Sequence, residues 1–210
     1  VCDRVQLNGD VLPLTPERIR KLKQTNAAMS GQGMRMIVVA YRQDVHQQEI
    51  YTPSDEQHMV LAGFLGFLDP AKPDAKEAIG LLGAHGVRVK VLTGDNAIIT
   101  QHVAEEVGIA NQLVATGNDV DAMDDSALRQ AVETTDLFVK LSPMQKARII
   151  KTMRAAGHTV GYMGDGINDT AALREADVSI SVDTAADITK DASGIILLEK
   201  SLLVLEDGIL

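Results

Sequence analysis

Three groups of polar residues stand where chemistry could be done. Thr93-Gly94-Asp95 follows the valine-rich run 87–92, and Gly164-Asp165-Gly166-Ile167-Asn168-Asp169 follows the run 159–163. Between them, Ser142-Pro143 opens a stretch with Lys146 in its first turn. Together they offer a hydroxyl, a cation and a cluster of carboxylates. Glycines beside them let backbone N–H groups approach an anion, and helix N-termini add favourable dipoles. Asp165 and Asp169 are hard oxygen ligands suited to Mg²⁺. Such a set suits phosphoryl transfer, which depends on positioning and charge neutralisation.

The elements that would hold these residues alternate between strand and helix. From residue 59 onward the pattern predicts strands over 60–68, 87–92, 137–141, 159–163, 178–182 and 194–198. Helices are expected over 74–85, from about 96 to 107, and over 143–156. Repeated strand–helix units with apolar strands predict an α/β fold, a parallel sheet with helices on both faces. Ligands of such sheets sit beyond the carboxyl ends of the strands, where all three polar groups fall. Residues 1–45 read differently. Asn8-Gly9 between Val5-Gln6-Leu7 and Val11-Leu12 predicts a hairpin. Thr15-Pro16-Glu17 starts a helix expected to reach Ser30, and a strand follows over 36–41. The segment is too short to bury much core alone and is expected to pack loosely or be partly disordered. Residues 46–58 read as a polar linker.

Composition narrows the function classes. With 210 residues, 45% apolar and 23% charged, the chain has ordinary globular composition, and with 3% aromatics its core must be aliphatic. A net charge of −9 argues against nucleic acid as a partner, since that requires clustered cations. The lone Cys2 provides neither an internal disulfide nor a zinc set. No run approaches the roughly 18 apolar residues of a membrane span, so no membrane contact by this stretch is expected. There is no signal peptide, and the start at Val1 reads as a cut end.

Thr93-Gly94-Asp95 followed by Gly164-Asp165-Gly166-Ile167-Asn168-Asp169, with Asp69-Pro70 upstream and Lys146 between, resembles the paired signature of P-type cation-transporting ATPases. The resemblance covers nearly the whole chain. It implies a haloacid-dehalogenase-like, Rossmannoid phosphorylation domain over 59–210 lacking its first motif. Residues 1–45 would be the last part of an α+β nucleotide-binding domain. Phe64-Leu65-Gly66-Phe67-Leu68-Asp69-Pro70 and Ile195-Ile196-Leu197-Leu198-Glu199-Lys200-Ser201-Leu202 are most similar to bacterial magnesium-importing members. The resemblance further implies ATP and Mg²⁺ as cofactors. Membrane and actuator domains of the same polypeptide would be its partners, at the cytoplasmic face of the inner membrane.

Site roles follow from the resemblance. Thr93, with Gly94, would bind phosphoryl oxygens. Asp95 would help hold the interface to the nucleotide domain. Lys146 would neutralise phosphoryl charge, and Asp165 would bind catalytic Mg²⁺. Asn168 and Asp169 would support the metal and the phosphate, with Gly166 lining the loop. Arg35 would contact ATP phosphates, and Asp69 would be the hinge between domains. The sequence also departs from the family. The Asp-Lys-Thr-Gly-Thr motif that carries the phosphorylated aspartate is absent, so this stretch alone is expected to be inactive. Ala71-Lys72 replaces Pro-Arg after the hinge Asp-Pro, Ala171 replaces a Pro, and Lys140 replaces an Arg, which leaves nucleotide contacts at 72 and 140 open.

Plainer roles compete at several positions. Asp119-Val120-Asp121 imitates an Asp-x-Asp nucleophile pair but lies in the acidic run 118–125 and reads as a solvated loop and helix start. Thr93 and Asp95 could simply start a helix, and Asp169 could simply cap one. Arg35 could be a surface ion pair. His46, His58, His85, His102 and His158 lack metal-ligand spacing. Two rival functions remain: a self-contained phosphatase, which would need an Asp-x-Asp before Thr93, and a non-catalytic binding module.

Overall fold

The computed structural model describes residues 1–43, 50–68, 70–109, 113–199 and 201–208. They fall into two compact units, Val1–Asp69 and Pro70–Leu210.

The first unit is a four-stranded sheet with one helix. β1 (Cys2–Leu7) and β2 (Asp10–Pro13) form the expected hairpin, with Asn8 and Gly9 both at positive φ in its turn. α1 (Pro16–Ser30) is capped by Thr15, whose side chain accepts from the Arg18 N–H. β3 (Met34–Tyr41) pairs antiparallel with β4 (Met59–Leu68), and the sheet order is β2-β1-β4-β3. This corrects the boundary expected at residue 59. The run 60–68 bonds to β1 and β3, so it closes the first unit and does not open the second. A one-turn 3₁₀ segment, Pro53–Asp55, lies within the expected linker. Regular structure fills residues 1–43, yet Val5 is the one hydrophobic side chain buried there. Ile37, Val39, Leu65 and Phe67 remain 39–52% exposed on one face of the β3–β4 pair.

The second unit is the expected α/β architecture. α2 (Ala75–Ala84), β5 (Val91–Leu92), α3 (Ala97–Glu106), β6 (Val114–Thr116), α4 (Gly117–Ala122), α5 (Asp125–Thr134), β7 (Leu137–Val139) and α6 (Pro143–Ala155) come first. β8 (Gly161–Met163), α7 (Thr170–Glu175), β9 (Val178–Val182), α8 (Asp187–Asp191), β10 (Ile195–Leu197) and α9 (Val204–Asp207) follow. The strands form two parallel three-stranded sheets, β5-β7-β6 and β8-β9-β10. The core is aliphatic, as the composition requires. Val120, Leu128, Phe138 and Ile149 anchor one cluster, and Ile150, Tyr162, Ala172 and Leu173 another. Leu92 packs against both.

Two differences from expectation have physical causes. The strand expected over 87–92 is regular only at Val91–Leu92, because its partner β7 begins at Leu137, opposite Val91; ahead of it Arg88 and Lys90 reach Asp136. The acidic run 118–125 carries more helix than expected. Asp119 completes a capping box with Thr116 at the start of α4, and Asp124 caps α5. Asp119 is therefore a cap, as the plainer reading held. Asp121 accepts from Gln145 Nε2 at 2.7 Å.

Candidate active site

The site grows from three strand ends. β5 ends in Thr93-Gly94-Asp95, folded as a tight polar turn. Thr93 Oγ1 donates to Asp95 Oδ2 at 3.1 Å and accepts from the Asp95 N–H at 3.0 Å. The neighbouring Asn96 caps α3 by accepting from the Ile99 N–H. The turn is tied to the end of β7: Leu141 N–H donates to Thr93 O and Lys140 N–H to Asp95 O. Lys140 takes a positive φ of 52° to make that turn.

β7 leads into α6, whose start is heavily specified. Ser142 caps it in a capping box with Gln145, and Pro143 occupies the first turn. Gln145 Nε2 also reaches Gly117 O at 3.0 Å. Helical spacing then turns Lys146 inward, and it is only 8% exposed. Its Nζ donates to Asp169 Oδ1 at 2.7 Å, an ion pair within the protein.

Asp169 comes from the loop after β8, in a 3₁₀ turn (Ile167–Asp169) leading into α7. Besides Lys146, its Oδ1 accepts from Tyr162 Oη at 2.7 Å, and its Oδ2 accepts from the Gly166 N–H at 3.3 Å. The carboxylate lies directly over Gly164: a Cβ added there would come within 2.5 Å of Asp169 Cβ and 2.8 Å of its Cγ. Glycine is thus required at 164 for close approach. Ser181, fully buried in β9, supports the loop from below by donating to Gly164 O at 2.9 Å. Asp165 and Asn168 are exposed at the outer edge. Burial, with the Asp169 hydrogen bond and carboxylate charges adding to it, pushes the Tyr162 hydroxyl well above its ordinary range, so it remains a protonated donor.

Of the residues singled out by sequence, Lys146, Asp169 and Gly166 are brought into direct contact. Thr93, Gly94 and Asp95 form their own turn, joined to the β7–α6 connection through the backbone. Arg35 lies exposed on β3, in the other unit. Asp69 lies outside the described residues. Two contributors went unnoticed in the sequence. Tyr162 reads as an ordinary core aromatic of a strand, and Ser181 as a polar alternate in β9.

Mg²⁺ was expected here, and the donor set fits part of such a site. Asp165 offers an exposed carboxylate in the loop that carries Asp169, and Mg²⁺ commonly takes one or two carboxylates together with phosphate oxygens and water. Among the described residues no three acidic, histidine or cysteine groups converge on one point. The protein's share of the ligands would therefore be small.

Comparison with known proteins now bears on this geometry. The model of the haloacid dehalogenase-like hydrolases matches residues 18–177, and the chain belongs to that family. Among curated proteins, it is 42% identical over its whole length to the magnesium-transporting ATPase, P-type 1, of Escherichia coli K12 and 43% identical to that of Salmonella typhimurium LT2. It is 30% identical over 99% of its length to a calcium-transporting ATPase of Listeria monocytogenes. The chain spans only 23% of the length of the two magnesium-transporting relatives and 24% of the calcium-transporting one. No helix among the described residues is long and apolar enough to cross a membrane.

Proposed function

We propose that this chain supplies the metal- and phosphate-binding half of the catalytic site of an ATP-driven cation pump that imports Mg²⁺. One observation carries the reading. A buried lysine–aspartate pair, Lys146 and Asp169, lies at the carboxyl ends of parallel strands, with the exposed Asp165 in the same loop as Asp169. It does so in a chain similar along its full length to magnesium-transporting P-type ATPases.

Lys146 carries the positive charge that a transferring phosphoryl group needs, and its pairing with Asp169 keeps that charge stationary while the site is empty. Thr93 Oγ1 would turn its proton from Asp95 Oδ2 to a phosphoryl oxygen, the Asp95 N–H still bracing it, and the N–H groups around Gly94 and Gly166 would be further donors. Asp165, with Asp169 Oδ2 and Asn168 behind it, would hold Mg²⁺, which supplies further neutralisation of phosphate charge when bound. Arg35 would meet the ATP phosphates from the nucleotide-binding unit, and Asp69 would act as the hinge.

The nucleophile is an aspartate outside this chain. β5 pairs only with β7, and β8 only with β9, among the described residues. A parallel strand from the longer polypeptide could pair with one of these edges and bring a carboxylate toward Lys146. The remaining partners would be the membrane and actuator parts of the same polypeptide, with this unit on the cytoplasmic side.

ATP-dependent uptake of Mg²⁺ into vesicles containing the full-length polypeptide tests the reading. Lys146→Ala should reduce uptake about 100-fold or more. Uptake that persists within threefold of the parent would refute the role given to Lys146.

A further inference from the structure

The aromatic ring of Tyr162 belongs to the core, but its hydroxyl does not. Its neighbours in the cluster are Ile150, Val160, Ala172 and Leu173, which ask only for apolar bulk. A buried hydroxyl costs free energy unless it finds a partner. Tyr162 finds one in Asp169 Oδ1, the same oxygen that Lys146 holds, and both contacts measure 2.7 Å.

That shared oxygen has a consequence for anion binding. Asp169 is the hydrogen-bond partner of Lys146 Nζ among the described residues. To neutralise a phosphoryl group, Lys146 must give up part of that bond. Asp169 is 9% exposed, and a buried carboxylate stripped of its donor is strongly unfavourable. The Gly166 N–H at 3.3 Å is a long contact on the other oxygen and cannot substitute. Tyr162 can: it is packed in the core on β8, and it already bonds the oxygen that Lys146 would release.

We propose that Tyr162 is a positioning residue of the phosphoryl site, holding Asp169 through its hydroxyl so that Lys146 is free to turn to the anion. This rests on the phosphoryl-transfer reading above. A purely structural tyrosine would affect stability alone, whereas this one sets how well the site binds an oxyanion.

The test is inhibition of the full-length polypeptide's ATPase activity by orthovanadate, an oxyanion that copies the five-coordinate phosphoryl group. Tyr162→Phe keeps the ring and removes the hydroxyl. The inhibition constant should rise about tenfold, with the KM for ATP changed less than twofold. In an Asp169→Ala background, with orthovanadate binding to the polypeptide measured directly because turnover is lost, the same substitution should add less than a twofold change, since the acceptor it serves is gone. An inhibition constant unchanged within twofold would overturn the proposal. So would an equal rise in KM, or a full tenfold effect persisting in the Asp169→Ala background. Lys146→Ala separates the two levels of inference. If it abolishes orthovanadate binding, measured directly on the polypeptide, while Tyr162→Phe has no effect, the tyrosine proposal fails and the site reading stands. If neither matters, the site reading itself has failed.

Discussion

Among its described residues the second unit has two buried lysine–aspartate pairs, one at each end of its strands, and they are built differently. Lys90 and Asp136 lie just before β5 and β7, at the amino ends. Lys90 Nζ donates to Asp136 Oδ1 at 3.0 Å and to Thr135 O at 2.6 Å. Arg88 Nε adds a 2.7 Å bond to the same carboxylate. Arg88 also donates to Glu133 O, and Glu133 pairs with His158. This network is closed, with each buried charge spent on a fixed neighbour. Burial pushes the Lys90 ammonium below the usual lysine range, and the Asp136 hydrogen bond and charge oppose that shift. Lys146 and Asp169, at the carboxyl ends, form an open pair. Among the described residues Lys146 bonds the carboxylate alone, Tyr162 shares it, and Asp165 lies exposed in the same loop. A closed pair fixes packing, whereas an open pair holds charges available to a ligand. Both look alike in composition, and only the surroundings separate them.

The contrast can be broken most forcefully at the closed pair. Asp136→Ala leaves Lys90 and Arg88 without their carboxylate, and the stability of the 210-residue chain in urea should fall by about 3–5 kcal/mol. A loss below about 1 kcal/mol would show that solvent takes over and that the pair is not closed. Asp169→Asn sharpens the comparison from the other side. The amide oxygen still accepts from Lys146 and Tyr162, so the stability cost should be smaller, about 1.5–3 kcal/mol. ATP turnover by the full-length polypeptide should nonetheless drop about 100-fold or more. Equal stability losses with unaffected turnover would erase the distinction between the pairs.

The smallest expected effect is one of pH. Asp177 is held below the usual carboxylate range, first by the Val160 N–H and then by Arg154. A carboxyl with a depressed folded-state pKa contributes stability that is fully present above its ordinary value near 4 and is lost as pH falls toward the depressed one. Asp177→Asn should therefore lower the urea midpoint at pH 6 and flatten its decline below about pH 4. An unchanged slope would mean that other carboxylates, such as Asp74 and Asp119, carry the acid sensitivity.

Much of this arrangement was legible in the sequence because chemistry leaves local marks. Thr93-Gly94-Asp95 and the Gly164–Asp169 loop follow apolar strands directly, and Ser142-Pro143 announces the helix that carries Lys146. What was not legible depends on distant partners or on ambiguous runs. The stretch 60–68 is continuously apolar, and such a run does not reveal whether its neighbours are parallel or antiparallel. It became the central strand of the first unit's sheet, and the boundary expected at 59 moved with it. α5 was hidden by the acidic run before it, although Asp124 is a proper cap and Leu128 and Val132, four apart, are its buried face. Lys90 and Asp136 are separated by 46 residues, and no local signal joins them. Tyr162 differs from a core phenylalanine by one oxygen, whose importance emerges only when Asp169 is found against it.

This chain is proposed to hold the cation and metal-binding half of a site whose aspartate lies elsewhere in the polypeptide. Covalent labelling by radioactive ATP with Mg²⁺ tests it most directly, on the full-length polypeptide, on its Asp165→Asn variant and on the 210-residue chain by itself. The account predicts label on the full-length polypeptide, at least a tenfold loss in the variant, and none on the isolated chain. Label retained by the isolated chain, or undiminished in Asp165→Asn, would contradict it.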